Sequence, residues 1–363
     1  MVIRLRGTKI FGSHWWNSNC FCGSLSSVSA VLILKEKKNR TLFIIYLFYF
    51  RKVVSALQDQ ITTLWHTTNL YRHPKIYEYI EHLVVYLVNS GSEANDLAVL
   101  LAKAYTGNDD VVSLQSGYHG YSSALMGLTA SRAYRMPLPV PTGFHHVLYR
   151  IKNSIPADGV AAFFAESIQG VNGTMQFPKG YLKKASELIK KHGGLFIADE
   201  VQTGFGRLGD AFWGFETHGF VPDIVTMAKG IGNGFPLAAV VTTKEIASAH
   251  AKTMYFNTFG GNPLSSAVIE EENLQQNCKT VGDYFIKELV KLQNIYPFIG
   301  DVRGKGLMLA IELVEPDSKT PLNIDEVSHR FKRLCKVLTS GQFTLCHFLY
   351  RCGLGNLKKK FVK

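Results

Sequence analysis

None of the six cysteines in this 363-residue chain stands in a C-x-x-C pair, and no histidine cluster supplies the missing half of a zinc set. A structural zinc site of ordinary spacing is therefore excluded, and reduced thiols in an intracellular compartment are the economical expectation. No apolar run reaches the ~20 residues of a membrane helix. The run Leu42 to Phe50 falls far short, and the charged stretch Lys35 to Arg40 divides it from a patch at Val31 to Leu34, so no membrane partner is expected. Low-complexity blocks and internal repeats are missing too. With 46% hydrophobic and 19% charged residues, that excludes the disordered and fibrous classes. Nor is there a G-x-x-x-x-G-K-[ST] loop to cradle a nucleotide phosphate.

Negative charge is in deficit, and the formal net charge is +12. Much of the excess lies at the two ends, at Arg4, Arg6 and Lys9 and at Lys358, Lys359, Lys360 and Lys363. Neither cluster sits on a nucleic-acid module, so a solvated basic surface is expected and no nucleic acid. The first acidic residue is Glu36, with basic and serine residues before it, in loose likeness to a mitochondrial transit peptide.

What is present is an α/β pattern. The first fifty residues show no clear helical or strand period, but from Val54 onward short apolar runs of strand length recur. They are Val111 to Leu114, Val160 to Ala165, Leu195 to Ala198, Asp223 to Met227 and Leu237 to Thr242. Helix-like stretches lie between several of them. The clearest is Tyr181 to His192, opened by Pro178 and closed by Gly193-Gly194. Buried strands alternating with helices predict a mostly parallel sheet covered on both faces, with ligands at the carboxyl ends of its strands. Near Thr280 a second unit begins, with a helix over Tyr284 to Gln293 and a glycine-led strand over Val302 to Glu312. The expected division is an atypical segment 1–50, a large domain 51–279 and an incomplete smaller α+β domain 280–363.

Four segments carry candidate chemistry. Asn89-Ser90-Gly91-Ser92-Glu93-Ala94-Asn95 opens a helix over Leu97 to Tyr105, and its free N–H groups suit an anion. An ordinary helix capped by Ser90 or Ser92 explains the same residues. Ser116-Gly117-Tyr118-His119-Gly120 follows a strand and offers rings to stack on a planar ligand, or is simply a glycine-rich turn. Ile197-Ala198-Asp199-Glu200-Val201-Gln202-Thr203-Gly204 runs an apolar strand into two carboxylates. A buried carboxylate needs a cationic partner, either a protonated heterocycle nitrogen or a magnesium ion. Thr226-Met227-Ala228-Lys229-Gly230-Ile231-Gly232-Asn233-Gly234 ends a strand on a lysine. In solvent such a lysine is inert; in a desolvated pocket it becomes a nucleophilic amine.

These segments, with Asn257-Thr258-Phe259-Gly260-Gly261-Asn262-Pro263, occur in the order that resembles the class III aminotransferases. Phe164-Ala165-Glu166-Ser167-Ile168-Gln169-Gly170 and Asp301-Val302-Arg303-Gly304-Lys305-Gly306 extend the likeness, which covers Val54 to about Val314. The resemblance implies the pyridoxal-phosphate-dependent transferase fold of the aspartate-aminotransferase type, with pyridoxal 5'-phosphate as cofactor and no metal. Carried over by position, Lys229 would hold the cofactor covalently and act as the catalytic base and acid. Asp199 would pair with the pyridine nitrogen, and Gln202 would contact the ring hydroxyl. Val201 and Tyr118 would flank the ring, and Gly91 and Ser92 would hold the phosphate. Glu166 would be a polar support near the ring. Thr258 would reach the phosphate of a neighbouring subunit, making a homodimer part of the site. The implied reaction moves an amino group from alanine or a similar small donor to glyoxylate or pyruvate, in a mitochondrion.

The likeness has gaps. Glu81 to Tyr86 runs almost directly into the Asn89 motif, the stretch from Gly143 to Ala161 is short, and the helix after Pro263 is cut by roughly two turns. After about Ile324 no substrate-clamping arginine is recognisable, and Arg351 stands in unrelated context. A truncated, non-catalytic variant of the fold is therefore one alternative expectation. A phospho-lyase of the same class is another.

Overall fold

The computed structural model describes residues 27–35, 42–68, 84–131, 134–136, 139, 141–148, 156, 159–250, 255–267, 274–318 and 320–321. Its centre is a seven-stranded sheet. The strands are β3 (Val84–Val88), β4 (Val111–Leu114), β5 (Phe144–Val147), β6 (Ala162–Glu166), β7 (Leu195–Asp199), β8 (Ile224–Met227) and β9 (Ala238–Thr242). Their order is β3-β9-β8-β7-β6-β4-β5. Only β9 runs against its neighbours; every other pairing is parallel. All five apolar runs picked out in the sequence are strands of this sheet.

Alternation along the strands feeds two cores. Val111, Ala162, Phe164, Leu195 and Ile197 pack towards helix α2 (Gly91–Thr106). Val112, Phe163, Ala165, Phe196 and Ala198 pack on the opposite face with Leu182, Ala185 and Ile189 of α4 (Tyr181–Lys191). A sheet covered on both faces is what continuous apolar strands require. The register then decides chemistry. Glu166 pairs with Asp199 across β6 and β7, and both continue the α2-facing alternation at the carboxyl edge.

Other elements are α1 (Arg51–Thr63), α3 (Leu125–Leu128), α5 (Lys244–Ser248), α6 (Pro263–Ser266) and α7 (Leu274–Ile295). Before α1 lies a backbone hairpin of β1 (Ser27–Lys35) and β2 (Leu42–Phe50), paired antiparallel. The sequence showed no strand period there, because a continuous apolar run gives none. The stretch read as one strand over Val302 to Glu312 is a hairpin of β10 (Ile299–Lys305) and β11 (Met308–Leu313). Gly306, with φ +51°, turns the chain where a Cβ would meet the Arg207 carbonyl at 2.5 Å. Among the described residues, no helix is long and apolar enough to cross a membrane.

Candidate active site

The carboxyl edge of the sheet gathers side chains from distant parts of the chain into one cavity of about 300 Å³. Gly91 and Ser92 reach it from the start of α2, Tyr118 from the turn after β4, and Glu166 from the end of β6. Asp199, Val201 and Gln202 come from the end of β7, and Lys229 from the turn after β8. Thr258 does not line the cavity and is exposed. Its neighbour Asn257 accepts a hydrogen bond of 3.1 Å from Asn89 Nδ2, which ties that segment to the start of α2.

Helix α2 is both capped and open. Ser90 is the N-cap, its Oγ accepting from Glu93 N at 3.3 Å, while Glu93 Oε2 accepts from Asn89 N at 2.6 Å. The Glu93 carboxylate thus holds the residue before the N-cap, a variant of the usual capping pair. The N–H groups of Gly91 and Ser92 have no intrahelical acceptor, as the first turn of any helix dictates. A Cβ on Gly91 would press on Val201 Cγ1 at 3.2 Å, so glycine lets the helix start sit close to the wall of the cavity.

Asp199 is 3% exposed. Its Oδ2 receives Asn95 Nδ2 and His119 Nδ1, each at 2.9 Å, and its Oδ1 receives Val201 N at 3.1 Å. Because the carboxylate can only accept, His119 donates from Nδ1, and its other ring nitrogen, Nε2, has no partner among the described residues. His119 thus lies against Asp199 and Phe164 and serves the carboxylate rather than a stacked ligand. Glu166 accepts from Gly170 N at 2.8 Å and Tyr118 N at 3.2 Å. Full burial pushes its carboxyl up to about 7, outweighing the opposing pull of His119 and of those two donors. Tyr118 is likewise raised, chiefly by desolvation.

Lys229 occupies the left-handed region, φ +48°, which a lysine enters only when its surroundings enforce it. The following Gly230 lies so near Phe205 that a Cβ would meet that ring at 2.9 Å. Gln202 reaches over Gly170, where a Cβ would overlap its Oε1 at 1.6 Å.

The acidic pair does not make a magnesium site. Glu200 turns away from Asp199 and is saturated by Ser167 Oγ (2.5 Å), Thr203 Oγ1 (2.6 Å), Gly214 N and Phe215 N (both 2.8 Å). Among the described residues no group of three or more His, Cys, Asp or Glu could hold a metal. Pyridoxal phosphate fits the residues present. The open N–H groups would suit its phosphate, the buried carboxylate its ring nitrogen, and the amine could bond its aldehyde. Asn95 Oδ1 and His119 Nε2 are also buried at this cavity, without a hydrogen-bond partner among the described residues. Asn95 closes the Asn89 motif in the sequence but carries no assigned role there; its signal is a polar residue in the buried face of a helix. The arginine sought after Ile324 falls outside the described residues, as does Arg351.

A family model for class III aminotransferases matches residues 49–348. The mitochondrial alanine–glyoxylate aminotransferase 2 of Homo sapiens is 45% identical over 337 residues, covering 76% of this chain and 66% of that protein. The chain thus spans just under two thirds of that relative's length. Among solved structures, an Arthrobacter phospholyase in complex with phosphoethanolamine superposes with a TM-score of 0.72 at 27% identity, covering 88% of each chain. An amine transaminase from an uncultivated Pseudomonas species, in a PLP-bound form, gives 0.73 at 25% identity with the same coverage.

Proposed function

Because the chain belongs to the class III aminotransferases, whose cofactor is pyridoxal phosphate, we propose that it transfers an amino group from alanine or another small amino donor to glyoxylate or pyruvate. The observation that carries this reading is the meeting of Lys229, Asp199 and the N-terminus of α2 at one cavity. The substrate pair is supported by the 45% identity to the human enzyme of that name, which also supports a mitochondrial location.

When bound, pyridoxal phosphate supplies an electron sink for the bonding pair at the substrate α-carbon. Gly91 N and Ser92 N would hold the phosphate at the positive end of α2. Asp199 keeps a proton on the ring nitrogen by offering a carboxylate already fixed by two donors on Oδ2. Val201 and Tyr118 would flank the ring, and Gln202 would hold its hydroxyl. Lys229 would hold the cofactor through its Nζ and, once displaced by an incoming amine, would take the substrate α-proton and deliver it to the cofactor carbon on the far side of the bridging nitrogen. Glu166 anchors the Tyr118 turn through the backbone.

A homodimer completes this reading. Trp65 and Phe259 are 61% and 60% exposed, and Phe259 stands beside Thr258. An apolar surface of that kind suits a second copy, whose phosphate Thr258 would reach. The hairpin β10–β11 and α7 then open a smaller second domain.

The test is a visible spectrum with added pyridoxal phosphate, set against Lys229→Ala. An absorption band that is lost in the variant and bleaches with alanine agrees with the proposal. A band unmoved by any amino donor would leave a cofactor-binding variant without turnover. The superposition on the phospholyase gives a second reading, a lyase on phosphorylated amines. Release of inorganic phosphate from phosphoethanolamine would select it.

A further inference from the structure

Asn95 sits one helical turn beyond the Gly91–Ser92 start of α2, among buried Ala94, Leu97, Ala98 and Leu101. It is 2% exposed. A carboxamide buried in an apolar helix face is unfavourable unless its hydrogen bonds offset the lost hydration. Both of its hydrogens are committed: Nδ2 donates to Asp199 Oδ2 at 2.9 Å and to the His119 carbonyl at 2.6 Å. Both partners can only accept, so the reverse amide orientation would set oxygen against oxygen. The orientation leaves Asn95 Oδ1 buried and unpaired among the described residues. An orphaned acceptor is a net loss of stability, so the side chain is better explained by what its two hydrogens hold.

We propose that Asn95 is a positioning residue whose carboxamide locks Asp199 and the Tyr118–His119 turn to helix α2. The phosphate cup, the ring-facing carboxylate and the flanking aromatic then keep one mutual geometry. The inference rests on the cofactor reading above.

The test titrates cofactor-free protein with pyridoxal phosphate, followed by tryptophan fluorescence, for wild type and Asn95→Asp at pH 8 and pH 6. Thermal melts without cofactor check folding. At pH 8 the introduced carboxylate faces only acceptors, and binding weakens roughly tenfold to a hundredfold, the worth of a hydrogen bond to a charged group. Burial beside Asp199 raises such a carboxyl, so at pH 6 a larger fraction of it carries a proton to donate to Asp199, and the gap from wild type narrows. The other titratable groups lining the cavity are Asp199, His119, Tyr118, Glu166 and Lys229. Glu166, raised to about 7, changes charge across this window in both proteins, so each variant is compared with wild type at the same pH. An unchanged affinity, or an equal loss at both pH values, overturns the assignment. Should Asn95→Asp not melt cooperatively, Asn95→Ser keeps one donor and is expected to bind more weakly than wild type while folding. Failure of both variants to fold makes Asn95 a residue of the fold and overturns it too. No binding by wild type would instead sink the cofactor reading itself.

Discussion

At Gly170 a methyl group would fall on the end of the Gln202 side chain, which is flexible and can swing away. Gly170→Ala is therefore expected to change the melting temperature little while weakening pyridoxal phosphate binding several-fold, roughly the worth of one neutral hydrogen bond. Equal affinity by fluorescence titration would remove Gln202 from the site. Glu166 makes a second prediction, through pH. Burial raises its carboxyl from an ordinary 4.5 to about 7, so the folded protein binds that proton more tightly than the unfolded chain. The contribution is fully present below pH 4.5 and is lost as pH rises through about 7. The whole shift corresponds to on the order of 3 kcal/mol. The melting temperature of Glu166→Gln relative to wild type should accordingly climb between pH 5 and 8; a flat difference would contradict it. The placement of Lys229 and Asp199 at the cavity could be read from sequence because each lies at the end of an apolar strand. Asn95 could not, since its partner lies 104 positions away and helical periodicity says nothing about what a buried amide faces.

Among the elements, the short helical turn Gly214–His218 hangs on one side chain. Two hydroxyls and the N–H groups of Gly214 and Phe215 all converge on Glu200. Glu200→Ala would strand these buried donors and is expected to cost about 3 kcal/mol or more, read by urea unfolding. Phe196, 1% exposed between sheet and α4, should cost about as much on Phe196→Ala through the cavity left behind. The strands were legible because burial on both faces leaves unbroken apolar runs. Helix α4 was legible from its glycines, Gly193 taking φ +76° just past its end. The β10–β11 turn was not, because Gly304 and Gly306, set between Arg303, Lys305 and the apolar run from Leu307, look alike whether the chain extends or reverses.

For the whole molecule, the sheet could be inferred as a class, but its order could not. The reversed β9 between β3 and β8 brings the start of α2 alongside the ends of β7 and β8, and that neighbourhood depends on long-range pairing. The proposed dimer belongs at this scale as well. Trp65→Glu should shift sedimentation towards monomer and weaken cofactor binding in parallel, since Thr258 would then lose its opposite subunit. A dimer unaffected by the change would place the interface elsewhere. Stability and chemistry also meet in opposition at one α-carbon. The left-handed backbone of Lys229 carries a penalty of about 1–2 kcal/mol for any side chain with a Cβ, borne by the fold as a whole. A directed-evolution search for heat resistance alone would be drawn to glycine at that position, and would extinguish the amine in the same step.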